Sequence, residues 1–199
     1  MELTPDLLLS AYCQGVFPMA HEDGNIYWYD PDPRAILPLN AFHISRSLQR
    51  LLKKNPFDVR VNTAFTEVML ACAAPAPGRE STWINHKFVA AYARLHQLGY
   101  AHSVEAWQCG KLVGGLYGVA VRGLFAGESM FSRVSNSSKV ALVYLVTRLR
   151  RQGYALLDTQ FMTDHLRQFG AVEIAASEYK QRLETALRIP ARFIEEGVK

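Results

Sequence analysis

Cysteine is scarce in this chain of 199 residues, and the three that occur share no close spacing. Cys13, Cys72 and Cys109 are odd in number and form no Cys-x-x-Cys pair, which disfavours both a disulfide framework and a thiolate zinc site. We therefore expect three reduced cysteines that serve mostly as small apolar side chains.

Long hydrophobic runs are also missing. No apolar stretch approaches the roughly 20 residues of a membrane-spanning helix, and residues 1–15 lack the basic segment and cleavage site of a secretory signal. Hydrophobic residues still make up 49% of the chain, which is enough for a packed core and excludes a disordered protein. These features predict a soluble, cytoplasmic protein that does not associate with a membrane and has one large or two small domains.

Net charge is low, at +4, but it is unevenly distributed. Residues 1–42 carry −5, residues 43–60 carry +4, and the rest carries +5. Within the basic segment Ile44 and Leu48 recur at helical spacing, which predicts an amphipathic helix with its cations outside. These cations are Arg46, Arg50, Lys53 and Lys54. They form either a solvated face or a surface that neutralises nucleic-acid phosphates.

Caps, alternation and helix breakers together predict an α+β fold. A proline-rich stretch at 74–82 is the best candidate for a boundary, and it divides the chain into a small domain of residues 1–76 and a second domain of residues 77–199. The second part has the pattern of a helix, an antiparallel meander and a long helix, followed by strand, helix, strand and helix. This order predicts a mixed, largely antiparallel sheet flanked by helices.

Three active-site templates fail on inspection. The segment Gly-Glu-Ser-Met-Phe at 127–131 has phenylalanine where a nucleophile elbow has glycine. Asp158, Asp164 and His165 are the closest metal-ligand cluster, but their spacing matches no known motif. The basic stretch 150–153 ends a predicted helix, whereas a loop that binds coenzyme A phosphates should precede one. We therefore expect no metal and no cofactor.

Polar side chains at strand ends remain as candidates. Glu128 follows an apolar strand segment, and Asp158 and Gln160 follow another, two residues apart and thus on one side of that strand. A charge embedded in apolar strands is costly unless it is paired or used. The alternatives are a functional site and a buried carboxylate that is bonded to serine or arginine.

Several segments together resemble one family, the leucyl/phenylalanyl-tRNA–protein transferases. They span about residues 11–180 in a consistent order and comprise AYCQGVFPM, IYWYDPDPRAILPL, FHISRSL, TWI, AYARLHQLGYAHSVE, LVGGLYGVA, GESMFSR, NSSK and LLDTQ followed by HLRQFGA. The resemblance implies transfer of leucine or phenylalanine from aminoacyl-tRNA to the N-terminal arginine or lysine of a protein, which is thereby marked for degradation. It also implies a small N-terminal domain and an acetyltransferase-like C-terminal domain.

The same resemblance assigns site residues. It places the catalytic positions on Asp158 and Gln160, with Glu128 nearby. It implies a pocket for the amino-acid side chain that consists of Leu116, Phe125, Met130, Leu145, Leu149 and Leu157. At two of these positions, Leu145 and Leu149, better-known members have aromatic residues, so the pocket would be reshaped.

The terminal adenosine of the tRNA is expected on Trp83 and Met19. Met19 stands where the family commonly has tryptophan, and it offers less stacking area. Trp28 or Tyr29 would compensate for that loss. The chain also begins close to its first motif, without the longer N-terminal segment that is usual in the family.

Two other functions are kept as alternatives. One is a coenzyme A-dependent N-acetyltransferase on a similar fold, and the other is an RNA-binding module without turnover. Tight binding of acetyl-CoA would favour the first, and RNA binding without aminoacyl transfer would favour the second.

Overall fold

The computed structural model describes residues 3–21, 23–75 and 82–194, which form nine strands and seven α-helices. The strands are β1 (Phe17–Ala20), β2 (Ile26–Tyr29), β3 (Arg34–Ile36), β4 (Asp58–Val61), β5 (Ala101–Gln108), β6 (Lys111–Val121), β7 (Leu124–Ser132), β8 (Leu156–Gln160) and β9 (Val172–Ile174). The helices are α1 (Pro5–Cys13), α2 (Arg46–Lys53), α3 (Phe65–Ala73), α4 (His86–Gln97), α5 (Ser137–Arg151), α6 (Asp164–Arg167) and α7 (Ala176–Leu187).

Seven strands form one mixed sheet in the order β4-β5-β6-β7-β8-β3-β9. Strands β4 to β7 are antiparallel neighbours, β7 and β8 are parallel, and β3 is antiparallel to both β8 and β9. The separate pair β1 and β2 forms an antiparallel hairpin. The predicted α+β class and the largely antiparallel sheet are confirmed.

Helices cover both faces of the large sheet. Apolar residues of α2 and α5 belong to one core cluster, and those of α1, α3 and α4 belong to another. A strand between two such layers is apolar on both sides, which explains why β6 is buried along nearly its whole length. No helix in the described parts of the chain is long and apolar enough to cross a membrane.

The predicted amphipathic helix is confirmed as α2. Leu48 is buried, Ile44 and Leu51 are half-buried, and the four cations of the segment are exposed. The predicted boundary between residues 76 and 77 falls in 76–81, outside the described residues, and the division into two domains stays a prediction. Strands from both sides of that boundary share the large sheet, since β4 pairs with β5 and β3 pairs with β8.

A buried ion pair joins β3 to β8. Arg34 and Asp158 are each 1% exposed, with Nε to Oδ1 at 2.9 Å and Nη2 to Oδ2 at 2.6 Å. Arg34 Nη1 also donates to the carbonyl of Gly15, at 2.9 Å, and the guanidinium lies between the rings of Phe17 and Tyr179. Tyr179, on α7, donates its hydroxyl to Asp158 Oδ2 at 2.8 Å. The pair therefore connects the turn after α1, the hairpin, the large sheet and α7.

Replacing one partner of this pair should be more damaging than replacing both. Arg34→Met leaves the Asp158 carboxylate unpaired in the interior, and we expect a loss of about 3–5 kcal/mol in the free energy of unfolding. Arg34→Met/Asp158→Leu removes the unpaired charge and should recover at least about 1 kcal/mol of that loss. Urea denaturation followed by circular dichroism measures both values.

The exposed pair of Arg182 and Glu178 provides the matched control. There, Arg182→Met should cost less than about 1 kcal/mol, because water already solvates both charges. A double variant of the buried pair that is no more stable than Arg34→Met would contradict the importance of the unpaired charge.

Candidate active site

A cavity of about 380 Å³ opens where β7 and β8 separate. The two strands pair from Leu124 and Leu156 as far as Ala126 and Asp158, where the register ends. Beyond that point the next residues of both strands face the cavity. The polar ones are Glu128 and Ser129 from β7 and Thr159 and Gln160 from β8. Because the strands diverge, polar groups from two neighbouring strands line the same space.

Apolar side chains form much of the cavity wall. They come from β6, β7, α5, β8 and the α6 region and comprise Leu116, Met130, Leu142, Leu145, Leu157 and Leu166. The five leucines belong to the core cluster that includes α5 and Met130 packs against it, so this part of the wall is continuous with the protein interior. Phe17, Met19, Trp83 and Phe161 add a second, largely aromatic part of the wall.

A hydrogen-bond network holds Glu128 at the cavity. Glu128 Oε1 accepts from the Tyr12 hydroxyl at 2.8 Å and from Gln160 Nε2 at 3.1 Å. Tyr12 is in turn hydrogen-bonded to the hydroxyl of Tyr92. Both tyrosines are fully buried, at 1% and 0% exposure. The carboxyl is thus fixed by three side chains from α1, α4 and β8 while it faces the cavity.

Burial strongly affects how Glu128 titrates. Desolvation, assisted by the negative charge of Asp158, raises the pKa of Glu128 to about 8, although hydrogen bonds from Tyr12 and Gln160 oppose the rise. Burial and the nearby carboxylate also raise the pKa of Tyr12 and of Tyr92, so both phenols stay neutral. At neutral pH the Glu128 carboxyl is mostly protonated, and it gains its charge near pH 8.

Gln160 has an unusual backbone conformation. Its φ of 61° lies in the left-handed region, which costs a non-glycine residue on the order of 1–3 kcal/mol unless neighbours stabilise it. The stabilising contact comes from Asp158, whose Oδ1 accepts the backbone N–H of Gln160 at 2.9 Å. The side-chain amide of Gln160 then donates to Glu128, so its donor end is fixed and its oxygen is the end available to a ligand.

Asp158 itself is not part of the cavity wall. Its two oxygens accept four hydrogen bonds, two from Arg34 and one each from Tyr179 and the Gln160 backbone. With 1% exposure, the carboxylate is too enclosed to contact a ligand in the cavity directly. It acts on the cavity through the position of Gln160.

Four of the six predicted pocket residues line the cavity, namely Leu116, Met130, Leu145 and Leu157. Phe125 and Leu149 do not, and both are 0% exposed. Phe125 lies in the part of β7 that still pairs with β8, and its ring packs 5.3 Å from that of Phe193. Leu149 lies one helical turn beyond Leu145, inside the core. Leu142, one position the sequence did not suggest, lines the cavity from α5.

Of the residues predicted to contact the adenosine, only some line the cavity. Trp83 and Met19 line the cavity, whereas Trp28 does not. Trp28 pairs with Pro18 in the hairpin, and the next pair along the two strands is Met19 with Tyr27. Since side chains alternate between the faces of a strand, its indole is directed away from the face that Met19 presents and packs on the neighbouring core cluster.

The three cations of α2, and Lys54 directly after it, lie outside the cavity. Arg46, Arg50, Lys53 and Lys54 are exposed, and none of them is among the described residues that form the cavity wall. They therefore belong to a surface that is distinct from the polar network. Among the described residues, no three His, Cys, Asp or Glu side chains come together in a group that could hold a metal ion.

The sequence did not suggest Tyr12, Tyr92, Arg34 or Tyr179, which complete the network. Their partners in the network lie between 19 and 145 positions away along the chain, beyond the reach of helix or strand periodicity, so local spacing carries no signal for them. Arg34 offered one hint, because it is the first basic residue of the chain and directly precedes an apolar strand. A charge at such a position implies a buried partner.

Comparison with known proteins identifies the family. The sequence matches the family described as leucyl/phenylalanyl-tRNA protein transferase over residues 36–184 and the N-terminal domain of that family over residues 1–32. A curated relative from Herpetosiphon aurantiacus is 58% identical over 192 residues, which cover 96% of this chain and 98% of the relative. A second, from Rhodospirillum rubrum, is 55% identical over 195 residues, which cover 97% and 92%. Both are named leucyl/phenylalanyl-tRNA–protein transferase.

A solved structure, L-PGS from Bacillus licheniformis, is similar at a TM-score of 0.45 and 14% identity, covering 90% of this chain and 68% of that one. The family match and the close relatives span nearly the whole chain. This protein is therefore a member of the leucyl/phenylalanyl-tRNA–protein transferase family.

Proposed function

We propose that the protein transfers leucine or phenylalanine from aminoacyl-tRNA to the N-terminal arginine or lysine of an acceptor protein, which is thereby marked for degradation. The observation that supports this most directly is the cavity itself, in which an apolar wall adjoins the fixed pair of Glu128 and Gln160. The apolar wall suits the amino-acid side chain, and the polar pair suits an incoming amine.

The donor side chain is bound by shape and apolar contact. Leucine or phenylalanine would fill the space between the leucines of β6, α5 and β8, where no charged side chain would find a partner. One methylene group changes binding by only about 1–3 kcal/mol. Discrimination among leucine, phenylalanine and methionine should therefore be incomplete, whereas charged amino acids should be rejected.

The reaction is an aminolysis of an ester. The acceptor nitrogen attacks the ester carbonyl, the C–N bond forms, and the bond to the ribose oxygen breaks as that oxygen takes a proton from the nitrogen. The aminoacyl ester is already activated, so the chemistry requires no ATP, metal or coenzyme. An α-amino group has a pKa of ~8, so only weak assistance from a base is needed to remove its extra proton.

Three residues divide the work in this proposal. The side-chain oxygen of Gln160 accepts a hydrogen bond from the amine and aligns it with the carbonyl. Asp158 keeps Gln160 in its left-handed conformation and so determines where that oxygen lies. In its ionised form, which becomes predominant above pH 8, Glu128 attracts the cationic acceptor and takes the extra proton from its ammonium group. Because glutamine is too weak a base to act alone, most of the acceleration should come from orientation.

A transfer assay tests the proposal as a whole. Labelled leucyl-tRNA should pass its leucine to a peptide that begins with arginine, and the same peptide with an acetylated N-terminus should receive none. Mass spectrometry of the peptide measures the product. Acetylation of the free peptide by acetyl-CoA would instead support an N-acetyltransferase, and tRNA binding without any transfer would support an RNA-binding module.

Glu128→Gln should lower kcat by about 10²- to 10⁴-fold, the usual range for loss of a proton-accepting group. The substitution keeps the size and the contact with Tyr12 but removes the titrating carboxyl.

In the wild type, the rate should rise between pH 6 and pH 9 with a midpoint near 8, because a carboxyl that is protonated below its pKa of about 8 cannot accept a proton.

Initial rates at saturating substrates measure both effects. Titration of the side-chain carboxyls by ¹³C NMR serves as the control and should show a carboxyl with a midpoint near 8 that is missing in Glu128→Gln. A variant with wild-type kcat, or no carboxyl that titrates near 8, would remove Glu128 from the proton transfer.

The cations of α2 should bind tRNA phosphates. Arg46→Glu/Arg50→Glu should weaken the binding of every tRNA and reduce the slope of log K against log salt, by roughly 0.7–0.9 for each phosphate that is no longer neutralised. Lys111→Glu/Arg122→Glu is the matched control, since it changes the net charge equally at exposed turns outside α2. Filter binding over a range of salt concentrations measures the slopes. Equal slopes in both double variants would show that α2 is only a solvated face.

A further inference from the structure

Four aromatic side chains continue outward from the cavity along the β1–β2 hairpin. Phe161 lines the cavity and is also 43% exposed, so it stands at the mouth. Its ring centroid lies 6.4 Å from that of Tyr29, which stacks at 6.0 Å on His21, and His21 meets Tyr27 at 4.6 Å. We call these four residues, His21, Tyr27, Tyr29 and Phe161, the aromatic rim.

Packing around Phe17 fixes the inner part of the aromatic rim. The centroid of the Phe17 ring lies 5.9 Å from that of Tyr29 and 5.6 Å from that of Phe161. The Arg34 guanidinium also lies over the Phe17 ring. His21 and the Tyr29 hydroxyl also share a hydrogen bond. The rings are therefore held in place, yet Tyr27 remains 46% exposed at the outer end. Fixed and exposed aromatic faces are typical of binding surfaces.

The turn of the hairpin carries a carboxylate. No lysine or arginine precedes Arg34 in the sequence, and of the nearby aspartates Asp30 is paired with Lys180 at 2.8 Å, whereas Asp23 lies in the hairpin turn. Asp23 lies beside the outer end of the aromatic rim, where its carboxylate accepts from Asn25 and from the Tyr27 hydroxyl. These hydrogen bonds lower the pKa of Asp23, so it stays charged. A cation that approaches the rim therefore meets both aromatic faces and negative charge.

We propose that the aromatic rim binds the beginning of the acceptor protein, with the cationic side chain of its N-terminal arginine or lysine on the faces of Tyr29 and Phe161. The inference rests on the proposed function and adds the surface that selects the acceptor. Phe161 directly follows Gln160 in the chain, so the surface begins one residue from the amide that would align the amine. The reacting nitrogen and the side chain of the same residue then have adjacent sites.

Charge favours a cationic peptide over a nucleic acid at this surface. A phosphate backbone at the outer end of the rim would face the carboxylate of Asp23, whereas the exposed cations of α2 offer tRNA a complementary surface elsewhere. Arginine and lysine are attracted to the face of an aromatic ring by its quadrupole, and arginine is the more frequent partner. The peptide is thus the occupant that matches both the rings and the charge.

The test compares the KM values of the two substrates in full-length variants. Tyr29→Leu and Phe161→Leu keep apolar bulk but lose the ring, and each should raise the KM for an arginine-starting peptide by roughly 2- to 5-fold. The double variant should raise it by roughly 5- to 20-fold. In Tyr29→Leu, whose side chain does not line the cavity, the KM for leucyl-tRNA should stay within about 2-fold of wild type. Phe161→Tyr, which keeps an aromatic face, should retain the wild-type KM for the peptide.

Tyr144→Leu is the matched control, because Tyr144 is an exposed aromatic residue on α5 that does not line the cavity. It should change neither KM. A higher KM for leucyl-tRNA with an unchanged KM for the peptide would show that the rim stacks a nucleotide, which overturns the proposal. Unchanged values for both substrates would overturn it as well. Wild-type transfer in the same experiment tests the proposed function separately, so the two failures are distinguishable.

Discussion

The buried pair of Arg34 and Asp158 is the interaction on which the site depends. It joins a strand from the first quarter of the chain to a strand near its end, and its members also bond the turn at Gly15 and the helix α7 to the sheet. The same carboxylate fixes the backbone of Gln160. One interaction therefore contributes both to the closure of the fold and to the geometry of the cavity, which is why a charge pair occupies a position that apolar residues would fill at less cost in desolvation.

The two acidic residues of the site have opposite environments, and the roles proposed for them rest on this difference. Asp158 is saturated by four hydrogen bonds from cationic and neutral donors and is closed off from the cavity. Glu128 faces the cavity, has only neutral donors, and has a pKa of about 8 because burial disfavours its charge. A permanently paired carboxylate suits positioning, whereas a carboxyl that titrates close to the pKa of an amine suits proton transfer. The separation of β7 from β8 provides the space in which the second role is possible.

Local patterns in the sequence predicted those structural features that depend on residues close together in the chain. The exposed cations of α2 follow from helical periodicity, and the position of Gln160 at the end of β8 follows from an apolar run that stops abruptly. Glu128 was also predicted at a strand end, but it lies in the middle of β7, which continues to Ser132. What the sequence could not show is long-range pairing, such as that of Arg34 with Asp158 or of Tyr12 with Glu128. The same limit applies to Phe125 and Leu149, which the family resemblance assigned to the pocket but which do not line the cavity. Which residues reach the cavity depends on the pairing of β7 with β8 and on the packing of α5 against the sheet. Likewise, the register of the β1–β2 hairpin determines that Met19 faces the cavity whereas Trp28 does not.

We infer that the ion pair determines the conformation of Gln160, and a crystal structure of Arg34→Lys tests this dependence. Lysine keeps the charge but cannot make the two parallel hydrogen bonds to the carboxylate. We expect the Asp158 carboxylate to rotate, its bond to the Gln160 backbone to be lost, and φ of Gln160 to return to negative values, with the Gln160 amide displaced from Glu128. A variant that loses transfer while Gln160 keeps its left-handed backbone and its hydrogen bond to Glu128 would contradict the account.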